Sequence, residues 1–195
     1  MTKFLILSIL CLLTLTFLLG HEGHKGIEKG EALEESAFPT QGEQLTIKQY
    51  GGRPQSWPQW IGSFHFIFLH FPLALIPLTT VSELLFAWCR LPIFDYSSRF
   101  MLISAAILAV PTALLGLTYS YTTTYSGLLA NFVWAHMWAG IATAILAIIV
   151  VFLRELYGTT KLYYACLVLL LLILNLTGFL GGGMTFGPYH MHPPL

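Results

Sequence analysis

Seven histidines are the residues of this 195-residue chain with the most distinctive chemistry. An imidazole binds transition metals and haem iron, and it changes charge close to neutral pH. They lie near the N-terminus, within two apolar stretches and in the C-terminal tail: His21, His24, His65, His70, His136, His190 and His192. No hydrolytic or transferase motif accompanies them, so the enzymatic role that stays open is that of a redox subunit.

The elements that must hold these histidines are strongly apolar. Hydrophobic residues make up 56% of the chain and charged residues only 9%, whereas a soluble domain carries about 25% charged residues. Apolar runs cover about 61–88, 100–121, 131–153 and 162–181, and each is near or above the roughly 20 residues that span a bilayer. Because backbone groups in hydrocarbon must satisfy one another, helices are the predicted spanning structure. We therefore predict an all-α integral membrane protein in which residues 61–195 form a four-helix bundle.

Two shorter segments precede the predicted bundle. Residues 1–20 place Lys3 before a long apolar run that ends at Gly20, which is typical of a signal peptide or an anchor helix. Residues 21–60 form a polar segment with too few apolar residues for a core. The nine basic and nine acidic residues balance, and no basic patch indicates a nucleic-acid partner. The predicted partner is the lipid bilayer.

The distribution of positive charge predicts the orientation in the membrane. Arg90 and Arg99 lie between the first and second runs, and Arg154 and Lys161 lie between the third and fourth, whereas 122–130 is uncharged. Loops with Lys and Arg stay in the cytoplasm. This predicts a multi-pass protein of a bacterial inner membrane, with its N-terminal segment and C-terminal tail extracytoplasmic. All seven histidines then lie on the outer side or in the outer half of a span.

Two spans that run in the same direction carry the histidines that lie within the bilayer. In an up-down bundle the first and third spans are diagonal partners, so His70 and His136 are predicted to meet across the centre. His65, about 140° around the helix from His70, is the substitute for His70. Ionisable groups within spans are costly and usually functional. We predict a haem b with axial ligands His70 and His136 that exchanges electrons with a quinone or a periplasmic carrier.

Two other interpretations stay open at this point. A copper or zinc site facing the periplasm would use imidazoles, with Met184 or Met191 as soft ligands for cuprous ion; its candidate imidazoles are His21, His24, His65, His70, His136, His190 and His192. Alternatively, the protein is a structural subunit whose histidines form hydrogen bonds and hold no cofactor. In each case Glu83, near the inner end of the first span, is predicted to pair with Arg90 or Arg154.

Three stretches carry a resemblance to a known family. They are HFIFLHFPLA at 65–74, WAHMWAG at 134–140 and GFLGGGMTFG at 178–187. Over about residues 60–192 the chain resembles the bacterial membrane family called domain of unknown function 2231. That resemblance implies a bundle of four membrane helices but no established activity. The resemblance also implies an association with redox proteins, because relatives are fused to Rieske or cytochrome c modules. This association favours haem over a bare metal ion.

Overall fold

The structure is a computed structural model that describes residues 56–187. This range contains no strand, and its helices are α1 (Trp57–Ser63), α2 (His65–Phe68), α3 (His70–Cys89), α4 (Pro92–Tyr121), α5 (Gly127–Tyr157) and α6 (Lys161–Phe186). The consecutive helices α1 to α3 form the first span, and α4, α5 and α6 are the second, third and fourth. All four spans are long and apolar enough to cross a membrane, which confirms the predicted all-α, four-span fold.

Several predicted features fall outside the described residues. They are the signal or anchor segment at 1–20, most of the polar segment at 21–60, and the end of the tail at 188–195. His21, His24, His190 and His192 belong to these parts of the chain. Their assignment as metal ligands therefore stays a prediction.

The four spans pack in chain order, each antiparallel to the one before it. The first span packs closely on the second, and the third packs closely on the fourth. The fourth and first spans also touch, with the least contact of the neighbouring pairs. The connections at 90–91, 122–126 and 158–160 are short, which favours antiparallel neighbours. The first and third spans therefore run in the same direction on opposite corners. We call the end with the 122–126 connection the histidine end, and the other the arginine end.

The centre of the bundle is filled by fully buried aliphatic side chains from every span. Ile76, Ala105, Ala147 and Leu170, one from each span, have no exposed surface. Association of helices in lipid depends on this kind of close packing, because the lipid tails are as apolar as the side chains themselves. The packed layer holds the spans in fixed positions between the two polar ends.

The helices extend beyond the apolar runs that predicted them. The second span begins at Pro92 instead of 100, because its first turns carry charged residues that pair with the third span. Arg154 bonds Asp95, and Arg99 bonds Glu155 through Nε at 2.6 Å. The fourth span continues to Phe186 instead of ending near 181. Hydropathy alone locates the bilayer-spanning part of a helix and misses such polar or glycine-rich end turns.

A buried polar cluster ties all four spans together at the arginine end. The Glu83 carboxylate is 2% exposed and accepts hydrogen bonds from Ser98 at 2.8 Å, Tyr163 at 2.9 Å and Tyr164 at 3.3 Å. The Arg154 guanidinium lies 3.6 Å from the same carboxylate. The predicted pairing of Glu83 is thereby confirmed, with Arg154 as the partner. Such satisfied polar groups are a requirement for a charge this deeply buried.

The first span is interrupted on both sides of one histidine. The Phe64 N–H donates to Ile61 O at 3.1 Å, and the Ile67 N–H donates to Phe64 O at 3.0 Å, each three residues back. Such tight turns rotate the following side chains relative to a regular α-helix. The further break at Leu69 lies close to Pro72, which has no N–H to continue the helical ladder. His65 lies within this interrupted part of the first span.

Candidate functional site

His65 and His136 lie against each other across the centre of the bundle at the histidine end. Their ring centroids are 6.2 Å apart and their planes are nearly perpendicular, at 89°. Both side chains are half-buried. His65 belongs to the first span and His136 to the third, so the diagonal spans bring two imidazoles together as the predicted topology requires.

Each imidazole is held by a backbone carbonyl of the span that follows it. The His65 Nδ1–H donates to Thr112 O at 2.8 Å, and the His136 Nδ1–H donates to Thr177 O at 2.9 Å. A carbonyl only accepts, so the proton of each neutral ring resides on Nδ1 and the lone pair on Nε2. No hydrogen bond from residues 56–187 reaches either Nε2. Among residues 56–187, the two imidazole lone pairs therefore have no hydrogen-bond partner.

His70 takes a different position from the one that the haem prediction gave it. Its side chain is exposed, and its Nδ1 lies 3.3 Å from Ile67 O of its own span. The ring that contacts His136 is that of His65, the predicted substitute. The two residues are five apart, about 140° around a helix, so when His65 faces the bundle His70 lies on another face. Spacing alone does not show which of the two faces inward.

The separation of the two rings fits a pair of ligands on one metal atom. A metal–imidazole bond is about 2 Å long, and a ring nitrogen lies about 1 Å from its centroid, so two imidazoles that held one metal atom would have centroids at most about 6 Å apart. The observed value is 6.2 Å. An Nδ1–H donated to a carbonyl is also how proteins orient histidine ligands.

The donor set is small, and this distinguishes among the cofactors. Within residues 56–187, no group of three or more His, Cys, Asp or Glu side chains is placed to hold a metal ion. From the described residues, a bare ion at this site would have at most two ligands of the His, Cys, Asp or Glu type. A haem iron already has four ring nitrogens and takes one or two axial ligands from the protein. Two imidazoles with no third His, Cys, Asp or Glu donor among residues 56–187 match the number of protein ligands that a haem iron takes.

Near the site, some glycines lie directly against a histidine ring and others have open space beside them. A Cβ on Gly116 would lie 2.9 Å from His65 Nδ1, so the imidazole lies directly against this glycine. A Cβ on Gly140, one turn from His136, would meet no atom within 4 Å. A Cβ on Gly178 would meet only Leu73 Cδ1, at 3.9 Å. The backbones at Gly140 and Gly178 are thus open on one side, and at Gly178 this side is exposed.

Comparison with known proteins gives a family and no individual relative. No curated protein and no solved structure matches the chain. A family model described as a predicted membrane protein, domain of unknown function 2231, matches residues 63–190. The matched range includes His65, His136 and the two threonines whose carbonyls hold them. The chain belongs to the domain of unknown function 2231 family of predicted membrane proteins.

Proposed function

We propose that this protein is a haem b-binding electron-transfer subunit of a membrane, with His65 and His136 as the axial ligands. The observation that carries the proposal is the pair of imidazoles 6.2 Å apart, each with Nδ1–H donated to a carbonyl and with no partner for Nε2 among residues 56–187. The proposal keeps His136 from the sequence prediction and exchanges His70 for His65.

The residues around the site would position and insulate the cofactor, which when bound supplies reversible one-electron chemistry. The carbonyls of Thr112 and Thr177 fix the orientation of the two rings and increase the basicity of Nε2. Apolar spans exclude water from the site, and burial is one of the means by which a protein sets a haem potential. His65 and His136 would hold the iron on two faces.

The depth and orientation of the site bear on its redox partners. His65 lies eight residues after Trp57 and His136 nine residues after Gly127, so each is about 13 Å along its helix at 1.5 Å per residue. We place the histidine end on the extracytoplasmic side of a bacterial inner membrane, because the arginine end holds the basic loops. A haem there would exchange electrons with a quinone in the bilayer or with a periplasmic carrier.

The second candidate is a copper-binding membrane protein that faces the periplasm. The observation in its favour is the same 6.2 Å separation, which also fits a single ion between two imidazoles. Cuprous ion would draw further ligands from His21, His24, His190, His192 or Met184. The third candidate is a structural subunit that binds no cofactor.

Cofactor analysis of the full-length chain purified in mild detergent separates these candidates. We would measure haem b by its pyridine haemochrome spectrum and copper by elemental analysis. The variants are His65→Ala, His136→Ala and, as the matched control on the same span, His70→Ala. The proposal expects stoichiometric haem b in the wild type and His70→Ala, and its loss in the other two variants.

Each of the other outcomes contradicts the proposal. Stoichiometric copper without haem, lost in His65→Ala and His136→Ala, would support the second candidate. A wild type with neither cofactor after haem-supplemented expression would support a structural subunit. Size-exclusion profiles of the variants show whether any loss reflects unfolding instead of lost ligation.

A further inference from the structure

Three interactions centre on Thr112 in the second span. Its hydroxyl donates to Leu108 O, four residues back, at 2.7 Å. Its carbonyl accepts the His65 Nδ1–H at 2.8 Å. Gly116, four residues further on, lies directly against the His65 ring, since a Cβ there would be 2.9 Å from Nδ1 and 3.0 Å from Cε1.

The same three interactions recur around Thr177 in the fourth span. Its hydroxyl donates to Ile173 O, again four residues back, at 2.8 Å. Its carbonyl accepts the His136 Nδ1–H at 2.9 Å. Gly181, four residues further on, lies against the His136 ring, since a Cβ there would be 3.2 Å from Cε1 and 3.5 Å from Nδ1.

The correspondence extends to the arrangement of the spans. In each half of the chain, a histidine on one span meets a Thr-x-x-x-Gly stretch on the next, TALLG at 112–116 and TGFLG at 177–181. The first and third spans run in the same direction, so both halves of the chain place the histidine-bearing span and the threonine-bearing span in the same order and direction. Because few other positions agree between the halves, the sequence alone shows no evident repeat.

We propose that the chain contains two copies of one histidine-holding module, and that Gly116 and Gly181 are positioning residues within them. Each module holds its imidazole as the tautomer in which Nδ1 is protonated and Nε2 is unprotonated. The use of the two free Nε2 atoms as ligands rests on the proposed function, whereas the placement of the protons does not.

The physical reason for the Thr-x-x-x-Gly pattern is access to a helical carbonyl. A carbonyl has two lone pairs, and its own helix uses one of them. A threonine hydroxyl bonded four residues back tends to bend the helix locally. The side chain four residues further on would normally block the approach of other spans to this carbonyl oxygen. Glycine at that position has no side chain, so an imidazole from another span reaches the second lone pair of the oxygen.

The two glycines predict effects of different size. A Cβ at Gly116 would stand too close to the His65 ring, and the ring would swing away because it is the mobile end of its side chain. Gly116→Ala should therefore leave the fold intact while breaking the bond to Thr112 O. For Gly181→Ala, the His136 ring has to move by only a few tenths of an ångström, so the effect on its hydrogen bond should be smaller. Gly140→Ala is the matched control, with open space around its Cβ.

The test is nitrogen-15 NMR of the full-length chain, labelled at histidine and held in detergent before any cofactor is added. Protonated and unprotonated ring nitrogens resonate far apart, and the variants His65→Ala and His136→Ala assign the signals. We expect Nδ1–H in both rings of the wild type. Gly116→Ala should abolish this signature for His65 alone, Gly181→Ala should shift that of His136 slightly, and Gly140→Ala should change neither.

Two results would overturn the proposal: protonated Nε2 in both rings of the wild type, or a Gly116→Ala spectrum no more altered than that of Gly140→Ala. If Gly116→Ala does not fold, the wild-type tautomers alone decide. Failure of the proposed function is distinguishable from these results. A wild type with Nδ1–H in both rings that takes up neither haem nor copper would refute the cofactor and retain the modules.

Discussion

Removal of the Arg154 guanidinium tests what holds the arginine end together. The Arg154 side chain is 8% exposed, pairs with both Glu83 and Asp95, and lies over the Tyr163 ring at 5.3 Å. No other cation pairs with Glu83 in the part of the chain that the structure describes. Arg154→Met keeps an apolar stem and leaves a carboxylate buried without its counter-charge. Breaking a buried ion pair in this way costs about 3–5 kcal/mol.

A second substitution, at Glu83, separates the effect of the unpaired charge from the effect of changing the hydrogen-bonded side chain. Glu83→Gln retains an oxygen to accept from Ser98 and Tyr163, so we expect it alone to cost about 1–3 kcal/mol. In the double variant no unpaired charge remains at position 83, and Asp95 is already 34% exposed. The double variant should therefore be more stable than the sum of the single effects by about 1–3 kcal/mol.

The assay is reversible unfolding in mixed micelles, with helicity as the signal. Arg99→Met is the matched control, because the Arg99 side chain is 53% exposed and pairs with Glu155. Exposed pairs contribute little to stability, because water and salt screen the charges. The reasoning fails if Arg154→Met is no more costly than Arg99→Met. It also fails if the effects at Glu83 and Arg154 add to within about 0.5 kcal/mol, as independent sites do.

Two further predictions concern packing within the bundle. Gly62→Ala would place a Cβ 2.6 Å from Tyr119 N, a backbone atom that cannot move unless the first and second spans separate. We expect a loss of about 1–3 kcal/mol or more, whereas Gly140→Ala, with open space, should be neutral or stabilising by about 0.5–1 kcal/mol; equal unfolding free energies for the two variants would contradict this. Tyr163→Phe removes a fully buried hydroxyl that donates to Glu83 at 2.9 Å. Thermal unfolding should show that the free energy of unfolding falls by about 1–3 kcal/mol. An unchanged free energy of unfolding would contradict this prediction.

The sequence predicts the parts of this molecule that depend on composition and spacing. Apolar runs separated by basic or uncharged connections give the four spans and their directions. An acid near the arginine end of the first span requires a counter-charge, and Arg154 supplies it. The direction of the first and third spans also predicts that a histidine from each meets across the bundle, as His65 and His136 do.

The choice between His65 and His70 is not accessible from spacing. The two residues are about 140° apart on a helix, so the spacing shows that only one can face the bundle and not which one. The hydrogen bonds between residues three apart at Phe64 are likewise not revealed by the apolar pattern. The role of Gly116 and Gly181 was likewise beyond prediction, because a glycine in a membrane helix is common and its partner ring lies on another span. The shared Thr-x-x-x-Gly spacing is the one signal in the sequence that pointed to them.

A titration of haem into the full-length, cofactor-free protein tests the pairing of His65 with His136 most directly. We predict saturation at a single site with the visible spectrum of a six-coordinate, low-spin haem in the wild type and in His70→Ala. His65→Ala and His136→Ala should each give a five-coordinate spectrum or no binding. A six-coordinate spectrum that survives in His65→Ala and disappears in His70→Ala would contradict the proposed site.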